Sequence, residues 1–403
     1  MANSVNTIKN GPGLFAQGIA QTLKDNLKFC SNVDQADASD FNGQNGFKSG
    51  DRIFTSIPPR YVSQQDSLDI TSLSGESVEE KKPLVLNKTE SIRMDFDSLE
   101  LATDIDVANM LKRFGMPAAE SIAQSVESRC LGLAQDAIYN SVGTAGSNQF
   151  TVADILAART KLNQQLCPVS NRNLLMTSEA GAEAVDARKG LFQSATRIAE
   201  QYEDGMIGRA DGFKWYESEL LSTHANGADV TGIAVNDASV AEGASTLTID
   251  GASSAVTVGS VFTIDGVFEV HPITKEVTGR LKQFTVTSAG TTEIGISPSL
   301  YAASAGLQNV SALPADDAAL VFVGPASTAL TQNIAWHPSA FKFVTAPLYA
   351  PSGVDLVATE TVDGITVNLV RDFDIRTREV ITRVDILYAF DAVRPEWAVR
   401  LTS

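Results

Sequence analysis

Between residues 232 and 325 the sequence changes texture, and this change constrains the fold more than any other feature. Upstream the chain is alanine-rich with helical spacing. Inside the segment, typified by "VGSVFTIDGVFEVHPITKEVTGRLKQFTVTSAG", β-branched and aromatic residues alternate with polar ones. Candidate strands fall at 246–249, 261–264, 268–270, 283–287, 292–296 and 319–323, with tight reversals expected at Asp250-Gly251, Asp265-Gly266 and Thr278-Gly279. Many short strands with frequent turns predict a small barrel or sandwich. Roughly ninety residues suffice for an autonomous domain. A module that leaves and re-enters its host should also have its two ends close together.

The host reads as α+β. Phe15, Ile19, Leu23 and Leu27, with Phe29 close by, make a narrow apolar stripe. They predict a short helix that is marginal alone and needs a surface to lie on. The polar "SNVDQADASDFNGQNGFKSGD" then reads as a linker. "DRIFTSIPPRYVSQ" and "KKPLVLNKTESIRMDFDSLEL" read as strands flanking the turn-rich "QDSLDITSLSGESVEEKK". Ile92, Met94 and Phe96 alternate with Arg93, Asp95 and Asp97, as in a strand with one wet face. Together they suggest a projecting two-stranded arm, which is marginal in isolation.

Residues 117–141 carry the clearest helix. Pro117 suits the first helical position, and Ile122, Val126, Cys130, Leu133 and Ala137 hold one face. Such a helix would span roughly 35–40 Å and act as a spine. Thr151 and Asp154 form a capping box for a second helix that Pro168 ends. "NRNLLMTSEAGAEAV" reads as a buried strand running into a helix, and Gly205, Gly208 and Gly212 as a tight exposed loop. After residue 325 the host resumes and finishes in strand-rich sequence.

Composition narrows the function. The 403 residues carry a net charge of −17, so nucleic acid phosphates would be repelled. Cys30, Cys130 and Cys167 show neither disulfide nor zinc spacing, which points to a reducing compartment. The N-terminal residues lack the pattern of a secretory signal, and no apolar run is long enough to span a membrane, so a cytosolic product is expected. His224, His271 and His337 lie far apart and read as turn or core residues. Neither a nucleophile elbow nor a phosphate loop is present. "GPGLFA" matches a dinucleotide-binding pattern only formally, because no buried strand precedes it. Acidic residues sit where turns and solvated faces would place them. No catalytic, cofactor-binding or metal residue is assigned, no cofactor is expected, and the chain does not read as an enzyme.

Four segments, in order, carry a family resemblance: "QYEDGMIGRADGFKWYES", "GSVFTIDGVFEVHPITKEVTGRLKQFTV", "NIAWHPSAF" and "RVDILYAFDAVRPEWAVRL". The chain resembles the major capsid (coat) proteins of tailed bacteriophages, of the short-tailed-phage type with an inserted β-barrel. The resemblance implies the tailed-phage and herpesvirus capsid fold. Its parts would be an N-terminal arm (1–40), an extended loop (41–95) and a peripheral domain with the spine helix (96–150). The axial domain would take 151–231, the inserted barrel 232–325, and the C-terminal axial and peripheral part 326–403. The implied function is a self-assembling icosahedral shell of hexamers and pentamers around double-stranded DNA, built in the host cytoplasm and found in the virion. A scaffolding protein and a portal are the implied partners. DNA would be enclosed without sequence-specific binding, and no membrane would be involved.

Glu76, Glu79, Glu80, Lys81 and Lys82, in "ESVEEKK", are the expected subunit-interface residues, suited to charge pairing across a seam. Asp34, Asp37 and Asp40 are the expected dock for a basic scaffolding tip. Lys88, a candidate for cross-linking to a neighbour's Asn, reads better as a solvated lysine. The rival readings are a surface-layer or other array-forming protein, and an enzyme with a barrel appendage.

Overall fold

The computed structural model describes residues 12–35, 52–57, 80–97, 111–147, 150–188, 208–303, 307–348, 353–354, 356–362 and 364–402. The host begins with α1 (Pro12–Asn26), β1 (Arg52–Ile57), β2 (Glu80–Val85), β3 (Lys88–Asp97) and the long helix α2 (Met116–Ala137). It continues through β4 (Ser141–Val142), α3 (Val152–Gln164), β5 (Asn173–Met176), α4 (Ser178–Arg188), β6 (Arg209–Ala210), β7 (Phe213–Glu217) and β8 (Thr223–Ala225). The β-rich segment supplies β9 (Ala234–Val235), β10 (Ala244–Asp250), β11 (Val261–Val270), β12 (Val277–Ser288), β13 (Glu293–Leu300) and β14 (Leu320–Phe322). The host then returns with β15 (Ala329–Trp336), β16 (Phe341–Ala346), β17 (Leu356–Val362), β18 (Ile365–Asp374), β19 (Glu379–Ala392) and β20 (Ala398–Thr402).

Two compact units divide the chain. One comprises Met1–Ile53, Pro83–Cys130 and Lys342–Phe390, the other Phe54–Lys82, Leu131–Phe341 and Asp391–Ser403. In the first, β16-β19-β18-β17 form a sheet in which β3 also pairs with β19. Helix α1 lies on β17 and β18 and buries Ile19 and Leu23, with Leu27 and Phe29 buried just beyond its end. The surface that the stripe requires is therefore in its own chain. Each of those side chains contributes about 1.5–3 kcal/mol by burial. Part of the expected projecting arm belongs to this sheet. From Lys88 to Asp97, β3 is paired with β19 in unbroken antiparallel register, and among the described residues β1 and β2 pair as a separate two-stranded sheet. The alternation at Ile92 and Met94 serves that sheet, where both are half-buried while Ser91, Arg93 and Asp95 are exposed.

In the second unit, β4-β20-β15-β5-β7-β6 form a mixed sheet, with β8 also on β15. The capping box of α3 is present: Asp154 N–H donates to Thr151 Oγ1, and Thr151 N–H donates to Asp154 Oδ2 at 2.9 Å. Strand β5 is buried throughout because α3 and α4 cover it within one apolar cluster. Of the glycines expected to make a loop, Gly205 lies outside the described residues, and the described ones flank or turn a hairpin. Gly212, at φ +89°, reverses the chain between β6 and β7, and β7 runs parallel to β5.

The inserted segment forms a six-stranded sheet ordered β14-β11-β12-β13-β10-β9, and an Ala234–Ala319 bridge nearly closes it into a barrel. Its core gathers Phe262, Ile264, Phe284, Val286, Ile294 and their neighbours. Two of the expected reversals are bulges. Gly266 and Gly279 take positive φ inside β11 and β12, where the pairing register shifts. The strands therefore run on past the Gly residues, kinked but unbroken. The real reversal is at 271–276, where His271 N–H donates to Glu276 O at 2.9 Å.

Candidate functional site

The barrel meets the host across a polar seam inside the second unit, and Arg400 of β20 is at its centre. The sequence "AVRLT" is buried at every position, so a guanidinium here must be satisfied internally. Arg400 is 1% exposed. Its Nε donates to Ile138 O at 2.8 Å, and Nη2 reaches the same carbonyl. Ile138 follows the last turn of α2, so the cation caps the orphan carbonyl end of the spine helix. Nη1 donates to Gln332 Oε1 of the host at 3.2 Å and to Gly259 O of the barrel at 2.7 Å, and Nη2 also donates to Thr285 Oγ1 at 3.2 Å. Burial pushes Arg400 down to about 9, opposed by the charge of Asp136. It remains a cation at neutral pH.

The backbone of Gly259 approaches so closely that a Cβ there would lie 2.3 Å from Asp136 Oδ1. Gly259 also has φ +85°, so no other residue fits. Beside it His224 Nε2 and Ser260 Oγ are 3.2 Å apart. Burial, then the charge of Arg400, lowers His224 to about 4, so its ring is neutral near pH 7. Gln283 of β12 pairs with the backbone of Ser141 in both directions, at 3.1 and 2.9 Å.

A second station surrounds Glu269 of β11. Its carboxylate, 3% exposed, takes Lys161 Nζ at 3.4 Å, Lys282 Nζ at 3.5 Å, Arg280 Nη2 at 3.8 Å and the Gln165 amide. Burial alone would raise the Glu269 pKa, but the charges of Lys282, Lys161 and Arg280 outweigh it and hold it low. Lys282 also lies 5.1 Å over the ring of Tyr139. At the neck, Asn226 Nδ2 donates to Val323 O at 2.9 Å and Gly324 O at 3.2 Å, fastening the entering chain to the leaving one. The two ends of the insertion are thus adjacent.

A family model described as "P22 coat protein - gene protein 5" matches residues 14–402. The chain belongs to the P22 coat protein family. It is a tailed-phage major capsid protein, a structural component of the icosahedral shell of the virion. No curated protein matches the chain. Among solved structures, one described as Mycobacterium phage Che8 is 13% identical, covering 93% of this chain and 90% of that one, with a TM-score of 0.47. The asymmetric unit of the bacteriophage PhiM1 mature capsid is 12% identical, covering 88% and 82%, with a TM-score of 0.44. The CUS-3 coat protein I-domain is 31% identical over 22% of this chain and 93% of its own, with a TM-score of 0.20.

The site residues expected from the coat-protein sequence are only partly within the described regions. Glu76, Glu79, Asp37 and Asp40 lie outside the described residues. Glu80 opens β2, Lys81 is exposed, and Lys82 Nζ donates to Ala392 O at 3.0 Å. Asp34 is partly buried, and its carbonyl accepts from Phe343 N–H at 3.1 Å. Lys88 Nζ donates to Asn87 Oδ1 at 3.2 Å. The three histidines take structural roles: His224 faces Ser260, His271 Nδ1 accepts from Thr274 N–H, and His337 Nδ1 accepts from Ser339 N–H. All three cysteines are buried and free. Sequence reasoning missed Arg400 and Glu269, although each is a charged residue inside an apolar strand run, which signals a buried partner without naming it.

Proposed function

We propose that this coat protein is the self-assembling building block of a shell that encloses a phage double-stranded DNA genome. The observation that carries the reading is the family match across residues 14–402. Copies would associate through heterologous contacts that close into hexamers and pentamers, and these rings would join into a shell. The segment between β1 and β2, with Glu76, Glu79, Glu80, Lys81 and Lys82, is proposed to lie across an adjacent subunit. Asp34, Asp37 and Asp40 are proposed as the dock for a basic scaffolding protein, and a portal would occupy one vertex. The net charge of −17 suits a wall that DNA slides past without sticking. On this reading the protein acts by binding copies of itself, with no catalytic step, and assembles in the host cytoplasm.

The test is nuclease protection. Particles containing this protein, purified from lysed infected cells and treated with nuclease, should retain double-stranded DNA of genome length. Particles whose DNA is fully digested while the shell stays closed would overturn the enclosure reading.

A further inference from the structure

Within the second unit the apolar cores of barrel and host do not merge. The barrel core runs from Ile233 to Phe322, while the adjacent host core draws on Phe150 to Ala184, Phe213, Ala335, Val399 and Leu401. What joins them is a polar seam: Arg400 of the host reaches Gly259 and Thr285 of the barrel, and Thr285, Gln283 and Glu269 of the barrel meet Asp136, Ser141, Lys161 and Gln165 of the host. Arg400 spans it, with two acceptors on the host and two on the barrel. A planar fork of donors fits that task, whereas a point-charge ammonium would not.

We propose that the barrel is a releasable module, held on its host by a polar lock and swinging as an intact body about the neck at Asn226 and residues 323–326. Arg400 is the positioning residue of the lock. An apolar interface would resist opening in proportion to the apolar area exposed. A polar seam gives its groups back to water, which replaces most of the hydrogen bonds lost and returns the hydration of buried charges. Both cores stay closed while it opens. The seam should therefore open at a free energy below that of unfolding either body. The inference rests on the geometry of one chain and stands apart from the shell reading.

The test is native-state hydrogen exchange on the full chain, read at single amides in low denaturant. Ser141 N–H donates to Gln283 Oε1 and reports the seam. Val286 N–H, bonded to Ser260 O, reports the barrel, and Ser218 N–H, bonded to Met176 O, reports the host. In the unaltered protein Ser141 should exchange at least about tenfold faster than both of the others, a sub-global opening. Arg400→Met should accelerate Ser141 by roughly another tenfold and leave Val286 unchanged, as expected for a loss confined to the seam. Ser141, Val286 and Ser218 exchanging together would overturn the proposal, as would a uniform acceleration in Arg400→Met. If that variant does not fold, the comparison of the three amides in the unaltered chain decides alone.

Discussion

Glu127 of α2 shows how much one buried side chain can do. It is 1% exposed, its Oε1 accepts from Phe29 N–H at 3.0 Å, and its Oε2 has no hydrogen-bond partner. Burial raises its pKa to about 7 from the usual 4.5, opposed by the backbone N–H groups of Phe29, Lys28 and Cys30 and by the charge of Lys28. The folded chain thus holds a proton that the unfolded chain has released between those two values. Stability should fall as pH rises from about 4.5 to about 7, with no further loss above, by roughly 3 kcal/mol in all. Glu127→Gln should flatten that slope and be more stable than the parent at pH 8 by about 1–3 kcal/mol. Urea midpoints at pH 5 and pH 8 check this. Parallel pH profiles for variant and parent would show that Glu127 is not the titrating group. A neighbouring effect is structural: Cys30 and Cys130, a hundred positions apart, lie close enough that Cys130 adds to the rise in the Cys30 pKa that burial causes. Sequence spacing offered no sign of this pair.

At the level of elements, the hairpin joining β18 to β19 presents an exposed apolar tip. Ile375 at its tip is 83% exposed, flanked by Asp374, Arg376 and Arg378, and the turn is fixed by Arg378 N–H to Asp374 O at 2.9 Å. Ile375→Asp should change monomer stability by less than about 0.5 kcal/mol yet lower the yield of assembled particles. Normal yield would mean the tip faces solvent in the shell. Deleting residues 60–78, between β1 and β2, should likewise leave a folded subunit with an unchanged melting profile that no longer assembles. Intact shells from that deletion would exclude the segment from the subunit contact. Elements coded by local chemistry were legible in the sequence. Thr151 and Asp154 mark the start of α3 because a capping box is made within four residues, and the apolar stripe of α1 is periodic. What was not legible depended on distant partners. Asp265-Gly266 and Thr278-Gly279 look like reversals, but cross-strand pairing carries the strands through both as bulges. The run from Lys88 to Asp97 looks like an arm until β19, almost three hundred residues later, pairs with it. Arg400 and Glu269 advertise burial, but nothing in the local sequence says which carbonyls or ammoniums will meet them.

The whole molecule combines locally coded bodies with exposed apolar side chains such as Phe54 and Ile375. The barrel carries its own core, the host sheets carry theirs, and Ile375 at the β18–β19 tip is 83% exposed. Cryo-electron microscopy of the purified protein mixed with its scaffolding protein tests the account most directly. The account predicts closed icosahedral shells with this chain in every ring and the barrel resolved as a separate body on each copy. A field of monomers or of flat, open sheets under the same conditions would contradict it.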